Sequence, residues 1–415
     1  MNNVKKLANS HAGTCNFPPK WRVFYSAILI PHLKPAAFEY IAPQWELIFN
    51  YLRIASLVII LALYVSHLLK GHRPSGILIG ILLYEFSLFI STWHNAGDYW
   101  TLFVSAGSIV AMTMLIDIML AKNAISCIKT ILPFLELLVY ANLLTILYYP
   151  NGMYLTYNVM GWASARNWLL GYDNSHIAVI LPAITLSLLH CYLQMRLITL
   201  RALLLIIAGY LTIFITWPAT SIVVLMIMAF YMLFQKLFNA TGIANCRNYV
   251  IVNIALFILI VVFGAQDIFR GFIEDILGKD LTFTTRTYVW DTSLWYISKN
   301  PLIGIGVESA AIVFNKLNAI NSHNQYLTVL YEGGIIQFLW LAMIIGLIMN
   351  KLMKYKSEKC AQLLSVVFFC VLVFWQVESY HHVLIFFLLS FAYNIDKIIP
   401  GHVDYHQLVI AEDGI

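Results

Sequence analysis

Two polar stretches interrupt an otherwise apolar chain, and they hold the residue types that could do chemistry. Thr285–Gly306 reads TRTYVWDTSLWYISKNPLIGIG, and Ser322–Gly334 reads SHNQYLTVLYEGG. The first opens on Arg286 and the second on His323. A guanidinium binds phosphate oxygens bidentately, so an arginine can hold a phosphate leaving group and offset the charge that develops on it. An imidazole whose ordinary pKa is near 6.5 can accept a hydroxyl proton at neutral pH, a step worth roughly 10²- to 10⁴-fold in rate. A second arginine, Arg166, sits in ARNWLLGYDN (Ala165–Asn174).

The spacing of these residues constrains what they can share. Arg286 falls in the first turn of a helix expected over Thr285–Ser298, where free N–H groups and the positive end of the dipole favour an anion. Asn300-Pro301 ends that helix. Gly304 and Gly306 permit left-handed backbone and close approach of a ligand to the main chain. This lone GxG lacks the third glycine and the strand of a dinucleotide fingerprint, and no GxxxxGK[ST] occurs. In one straight helix, Glu332 lies about 180° around from His323, so the two form a catalytic pair only if Gly333-Gly334 distort the helix.

The elements that position these residues are transmembrane helices. Of 415 residues 61% are hydrophobic and only 11% charged, which excludes a soluble globular domain. A bilayer crossing takes about 20 helical residues. Twelve spans are expected, near 23–41, 47–68, 75–91, 100–121, 131–149, 176–194, 201–216, 218–235, 249–266, 324–349, 361–377 and 382–398. Pro31, Lys34 and Pro35 should break the first. The fold class is therefore an all-α polytopic membrane protein, with residues 1–415 forming one transmembrane domain. The polar start MNNVKKLANSHAGTCNFPPKW is not expected to be a cleavable signal peptide.

With both termini cytoplasmic, seventeen of the twenty-five Lys and Arg residues fall on the inner side and six on the outer. That topology, plus attraction to anionic lipid, accounts for the net charge of +5, and no nucleic-acid footprint is read from it. No cysteine is expected outside, so no disulfide framework is either. Two long loops, 150–175 and 267–323, share the extracytoplasmic side. Their Trp, Tyr, Arg and Asn content is unlike disordered linkers, and they should fold down onto the bundle.

These features resemble the bacterial O-antigen polymerase and O-antigen ligase superfamily, which includes exopolysaccharide repeat-unit polymerases. Arg286, Trp290, the run Asn300–Gly306 and Ser322–Gly334 carry the resemblance, with Arg166–Asn174 as a looser match. It implies an undecaprenyl-diphosphate-linked oligosaccharide as donor and acceptor and action at the outer face of the bacterial cytoplasmic membrane. It also implies glycosidic bond formation with no cofactor and no metal, with membrane lipid, a flippase and a chain-length regulator as partners. By that resemblance Arg166 and Arg286 hold the diphosphate and His323 assists the acceptor hydroxyl. Trp290, Asn324, Glu332, Asn174, Tyr326 and Arg53 are the expected substrate contacts. One departure stands out: relatives carry an arginine after Thr-x-Ser between the seventh and eighth spans, whereas Thr216–Leu225 is TWPATSIVVL, leaving Arg53 or Lys34 to supply a further cation.

Each role has a structural competitor. Arg286 could form an ion pair with Asp291 or Glu274, His323 could cap a helix, Arg166 could touch headgroups, and Glu332 could make an ion pair or buried hydrogen bond. Glu85 is the deepest intramembrane charge and a functional candidate on that ground. Glu378, His381 and His382 have metal-like spacing, but a two-residue turn between spans explains them. At the level of function, a ligase shares every motif with a polymerase. A secondary transporter is the alternative from another class, and internal symmetry, which is not visible here, discriminates it.

Overall fold

The computed structural model describes residues 17–157, 163–241, 244–264, 275 and 286–399. Most of the outer loop over 267–285 therefore lies outside the described residues, as do Glu274 and Cys15.

Among the described residues seven helices are long and apolar enough to cross a membrane, and four shorter apolar helices accompany them. In chain order the helices are α1 (Pro19–Leu29), α2 (Pro43–Leu69), α3 (Gly76–His94), α4 (Tyr99–Lys122) and α5 (Ala124–Tyr148). Then follow α6 (Ile177–Leu193), α7 (Leu200–Thr216), α8 (Ala219–Thr241) and α9 (Cys246–Phe257, continued by a π-turn over Ile258–Val262). The last five are α10 (Arg286–Lys299), α11 (Ala310–Leu317), α12 (Gln325–Lys354), α13 (Lys359–Val377) and α14 (Val383–Tyr393). Polar connections end in residues that cap the next span: Ser75, Asp98, Asn123, Thr199, Asn245 and Asn324 each accept a backbone N–H two or three residues ahead.

The first crossing is broken, as its prolines require. α1 gives way at Pro31 to a 3₁₀ turn over Ile30–Leu33 and then to extended chain at Lys34. Tyr25 accepts from Lys122 Nζ at 2.7 Å and Phe17 N–H reaches Ser126 at 3.0 Å, while Ala37 N–H bonds Leu169 O at 3.1 Å. The Lys122 and Leu169 ends are opposite ends of the bundle, so the segment traverses it. Among the described residues seven helices thus reach the length and apolarity of a crossing, against the twelve expected, and the four shorter apolar helices stand in the same bundle.

The first outer loop holds an element that the sequence reading did not anticipate, a three-stranded antiparallel sheet of β1 (Tyr154–Tyr157), β2 (Ala163–Trp168) and β3 (Gly171–Tyr172). Gly171, at φ +94°, closes the tight hairpin between β2 and β3. The sheet is fastened to the end of α5, where Trp168 Nε1 donates to Tyr149 O at 2.8 Å and Leu170 N–H to Asn142 Oδ1 at 3.0 Å.

α12 is not one straight helix. At Gly334 the backbone leaves helical geometry (φ 64°, ψ −165°), which orphans carbonyls before the break and N–H groups after it. The segment Pro301–Gly306 fills the break. Ile305 and Gly306 donate to Tyr331 O and Glu332 O at 2.9 and 2.8 Å. Pro301 O and Leu302 O accept from Ile335 and Ile336 at 2.8 and 3.2 Å. Ser91 of α3 adds a bond to Glu332 O at 2.6 Å. The glycines of LIGIG therefore serve protein packing: a Cβ at Gly304 would lie 2.5 Å from the Glu332 carbonyl carbon, and one at Gly306 2.7 Å from Thr92 Cα. The backbone that approaches these glycines belongs to α12 and α3, which corrects the expectation of a ligand.

Gly334→Ala should therefore destabilise the fold. A Cβ there would stand 2.3 Å from Leu302 O on a left-handed backbone, and such strain alone costs of order 1–3 kcal/mol. Thermal unfolding of the purified protein in detergent should show a lower midpoint. Gly346→Ala, at an open helical site of the same helix, should leave it unchanged or raise it.

Candidate functional site

At the outer end of α13 the chain turns extended for five residues, Glu378 to His382, before α14 begins. The residues of this linker meet several different elements. Ser379 accepts from Thr328 at 2.8 Å, Tyr380 N–H donates to Gln325 at 2.7 Å, and His382 Nδ1 caps α14 through Leu384 N–H at 3.2 Å. Glu378, largely buried, gathers three side chains from distant parts of the sequence. Its Oε1 accepts from Arg286 Nη2 and from Asn174 Nδ2, both at 2.7 Å, and its Oε2 lies 3.9 Å from His323 Nδ1. The side chains of Arg286 and His323 stay 17% and 28% exposed, so this centre is open on the side away from Glu378.

The local backbone explains why these groups converge. Arg286 opens α10, which is held in place by Val289, packed with Ile305, Leu317 and Tyr331, and by Trp290, packed with Val261 and Leu327. His323 has φ +48°, rare for a residue with a side chain, and its N–H is fixed by Asn321 Oδ1 at 2.8 Å. Asn174 lies in the 3₁₀ turn that joins the sheet to α6. Tyr172 adjoins the same charges. Burial pushes its hydroxyl up to about 12, and the carboxylates of Asp173 and Glu378 add to the effect against Arg286.

Of the residues expected from sequence, Arg286, His323 and Asn174 come together. Arg286 does form an ion pair, with Glu378 in place of Asp291. Arg166 is exposed on β2, its guanidinium 6.0 Å from the Trp168 ring. That ring meets His176 at 5.8 Å, two residues from Asn174, so Arg166 borders the cluster without a described contact to it. Three expected substrate contacts are committed to the protein. Asn324 caps α12 through Leu327 N–H at 3.0 Å and donates to Gln376 O at 2.7 Å. Tyr326 bonds Leu372 O and Asn253 at 3.2 and 2.9 Å, and Trp290 is 2% exposed. These residues hold the site from behind through bonds and packing within the protein.

A second polar group lies on the α3 side. His381 Nε2 and Glu85 Oε1 are 2.8 Å apart, with Glu332 close enough to feel both charges. The distortion at Gly334 thus does not pair Glu332 with His323; it leaves Glu332 facing His381. Arg53 adjoins His32 and His382, and Lys34 is paired with Glu46. No described contact links Arg53 or Lys34 to Glu378. Among the described residues no group of three or more His, Cys, Asp or Glu is placed to hold a metal ion.

Sequence reasoning missed Glu378 and the partner of Glu85. Both signals were present: a carboxylate in a segment too short for solvent exposure, and an intramembrane Glu that requires a partner. Reading Glu378-Ser-Tyr-His381-His382 as a bare turn discarded them.

Residues 162–342, which contain strands β2 and β3, α10, the Pro301–Gly306 strap and the break in α12, match the family model described as O-antigen ligase. No curated protein matches the chain.

The pair of His381 with Glu85 predicts a signed pH dependence. Burial opposes the charged imidazole, but the Glu85 carboxylate outweighs it and holds His381 above its ordinary 6.5. The stability from this pair is then fully present below that ordinary value and is lost as pH rises through the raised folded one. His381→Asn should flatten the decline in melting temperature of the purified protein above about pH 6.5. An unchanged slope would remove the pair from the stability account.

Proposed function

We propose that this chain, whose residues 162–342 match the O-antigen ligase family model, is a member of the O-antigen ligase and polymerase superfamily and polymerises undecaprenyl-diphosphate-linked oligosaccharide repeat units into a cell-surface polysaccharide. The reaction takes place at the outer face of the bacterial cytoplasmic membrane, with both chain termini on the cytoplasmic side. The observation that carries this reading is the meeting of Arg286 and His323 at one carboxylate, on the side where both long loops fold.

The roles follow from the chemistry of the bond that breaks. Cleavage at the anomeric carbon leaves negative charge on the diphosphate, and a guanidinium fork at a helix N-terminus meets that charge better than water does. Arg286 serves there, with Arg166 on the adjoining sheet edge reaching the same lipid headgroup from outside. His323 takes the proton of the acceptor hydroxyl as the new glycosidic bond forms. No cofactor or metal is required by this scheme, because arginine provides the charge stabilisation. A chain-length regulator and a flippase are the expected partners. A ligase that moves finished glycan to another acceptor would use the same site, a reading favoured by the description of the matching family model.

Arg286→Ala and His323→Ala should each insert and fold normally while abolishing glycan lengthening in cells, read by gel electrophoresis of surface polysaccharide. Arg286→Lys should fail as well, since a point charge does not reproduce the planar fork. Full-length polysaccharide from any of the three would remove that residue from the mechanism. Analysis of the lipid-linked glycans that accumulate in a deletion strain separates the two activities. Single repeat units on the lipid indicate a polymerase, and finished chains indicate a ligase.

A further inference from the structure

Glu378 stands between the two groups on which the proposed chemistry depends, but it is not bonded equally to both. Oε1 accepts from Arg286 and Asn174 at 2.7 Å, whereas Oε2 lies 3.9 Å from His323 Nδ1, about 1 Å beyond a hydrogen bond. That Nδ1 is buried and has no hydrogen-bond partner, although a buried polar atom without a partner costs about 1–3 kcal/mol. The imidazole is thus aimed at a carboxylate that another cation holds, on a backbone already strained at φ +48°.

We propose that Glu378 is a positioning residue that exchanges partners during the reaction: it holds Arg286 while the donor site is empty and turns to His323 once a diphosphate engages the guanidinium. The proposal rests on the glycosyltransfer reading above. Its electrostatics are a competition for one cation. A diphosphate carries more charge than a carboxylate and offers more oxygens to a guanidinium fork, so its arrival loosens the ion pair of Arg286 with Glu378. The freed carboxylate then closes on Nδ1–H of His323, which fixes the tautomer with the other ring nitrogen available as base, the role a carboxylate plays behind a catalytic histidine in general. In the transfer step the acceptor oxygen bonds to the anomeric carbon and its proton passes to the free ring nitrogen of His323. The bond from the anomeric carbon to the phosphate oxygen breaks, and the diphosphate leaves with the electron pair. The base is therefore completed only when a donor is in place, which protects the activated site from water in the donor-free state. Other charged or titratable groups near this exchange are Asp173 and Tyr172 at the sheet end and Tyr380 in the linker.

Glu378→Gln separates this role from a structural one, because the amide keeps the size and an acceptor for Arg286 and Asn174 but removes the charge. Binding of undecaprenyl diphosphate to the purified full-length protein should tighten about 5-fold, the worth of a partly exposed ion pair no longer competing for Arg286. Polysaccharide made by cells carrying the variant should fall by about 100-fold, the loss expected of a poorly oriented general base. These opposite signs are the signature, since a residue that only braces the fold would weaken both. Glu378→Asp keeps the charge with a shorter reach. It should bind within about 2-fold of the original and lose about 10-fold in synthesis; it carries the test if the Gln variant does not fold. Weaker or equal binding by Glu378→Gln, or undiminished synthesis by either variant, overturns the exchange. If the unaltered protein does not bind undecaprenyl diphosphate at all, the functional reading fails and the exchange fails with it.

Discussion

A helix that breaks inside a membrane protein must have its loose backbone groups met by protein, because lipid offers nothing to bond to them and each unmet group costs several kcal/mol. The break at Gly334 in α12 meets that demand with Pro301–Gly306, whose N–H groups serve the carbonyls before the break and whose carbonyls serve the N–H groups after it. Much of the site follows from this one arrangement. The strap ties α10 to α12 through the segment that leaves Lys299, and so fixes where Arg286 stands relative to the start of α12. It also leaves the side chain of Glu332 directed toward Glu85 and His381. The two glycine pairs, Gly304 with Gly306 and Gly333 with Gly334, are two sides of the same joint.

The linker from Glu378 to His382 is the second organising element. Its five residues bond to α3, to the start of α6, to α10, to α12 and to α14. A carboxylate placed there serves the arginine of one loop and the asparagine of the other, so the two long loops are tied through a residue that belongs to neither. In surroundings less polar than water such ion pairs are strong enough to hold and still open to exchange, provided one face stays wet. The partial exposure of Arg286 and His323 supplies that face.

What the sequence makes legible is what depends on local composition. Apolar runs give the crossings, Pro31 and Pro35 give the break in the first, and the Lys and Arg asymmetry puts both loops on one side. Arg286 and His323 stand out because polar, functional residue types are conspicuous among apolar helices. What stays hidden depends on tertiary meetings. Nothing local in Ala163–Trp168 announces a strand that pairs with Tyr154–Tyr157, and nothing local ties Glu378 to residues 92 and 204 positions away. The tertiary duties of Asn324, Tyr326 and Trp290 are hidden for the same reason. They have the chemistry of sugar contacts, yet the fold uses that chemistry for a helix cap, a buried hydrogen bond and a packed wall.

The motif SHNQY is then better understood as a device for holding one imidazole than as a set of contacts. A left-handed conformation at a residue with a side chain costs of order 1–3 kcal/mol and persists only where neighbours over-determine it. Those neighbours are present on every side of His323. Asn321 accepts its N–H, Ser322 bonds Asn324 O at 2.8 Å, Asn324 reaches Gln376, and Gln325 receives the N–H of Tyr380. Relaxing the turn would cost the bond from His323 N–H to Asn321 and would turn the ring away from Glu378. The strain at His323 is therefore held by the bonds around it, and the direction of that imidazole is the feature those bonds maintain.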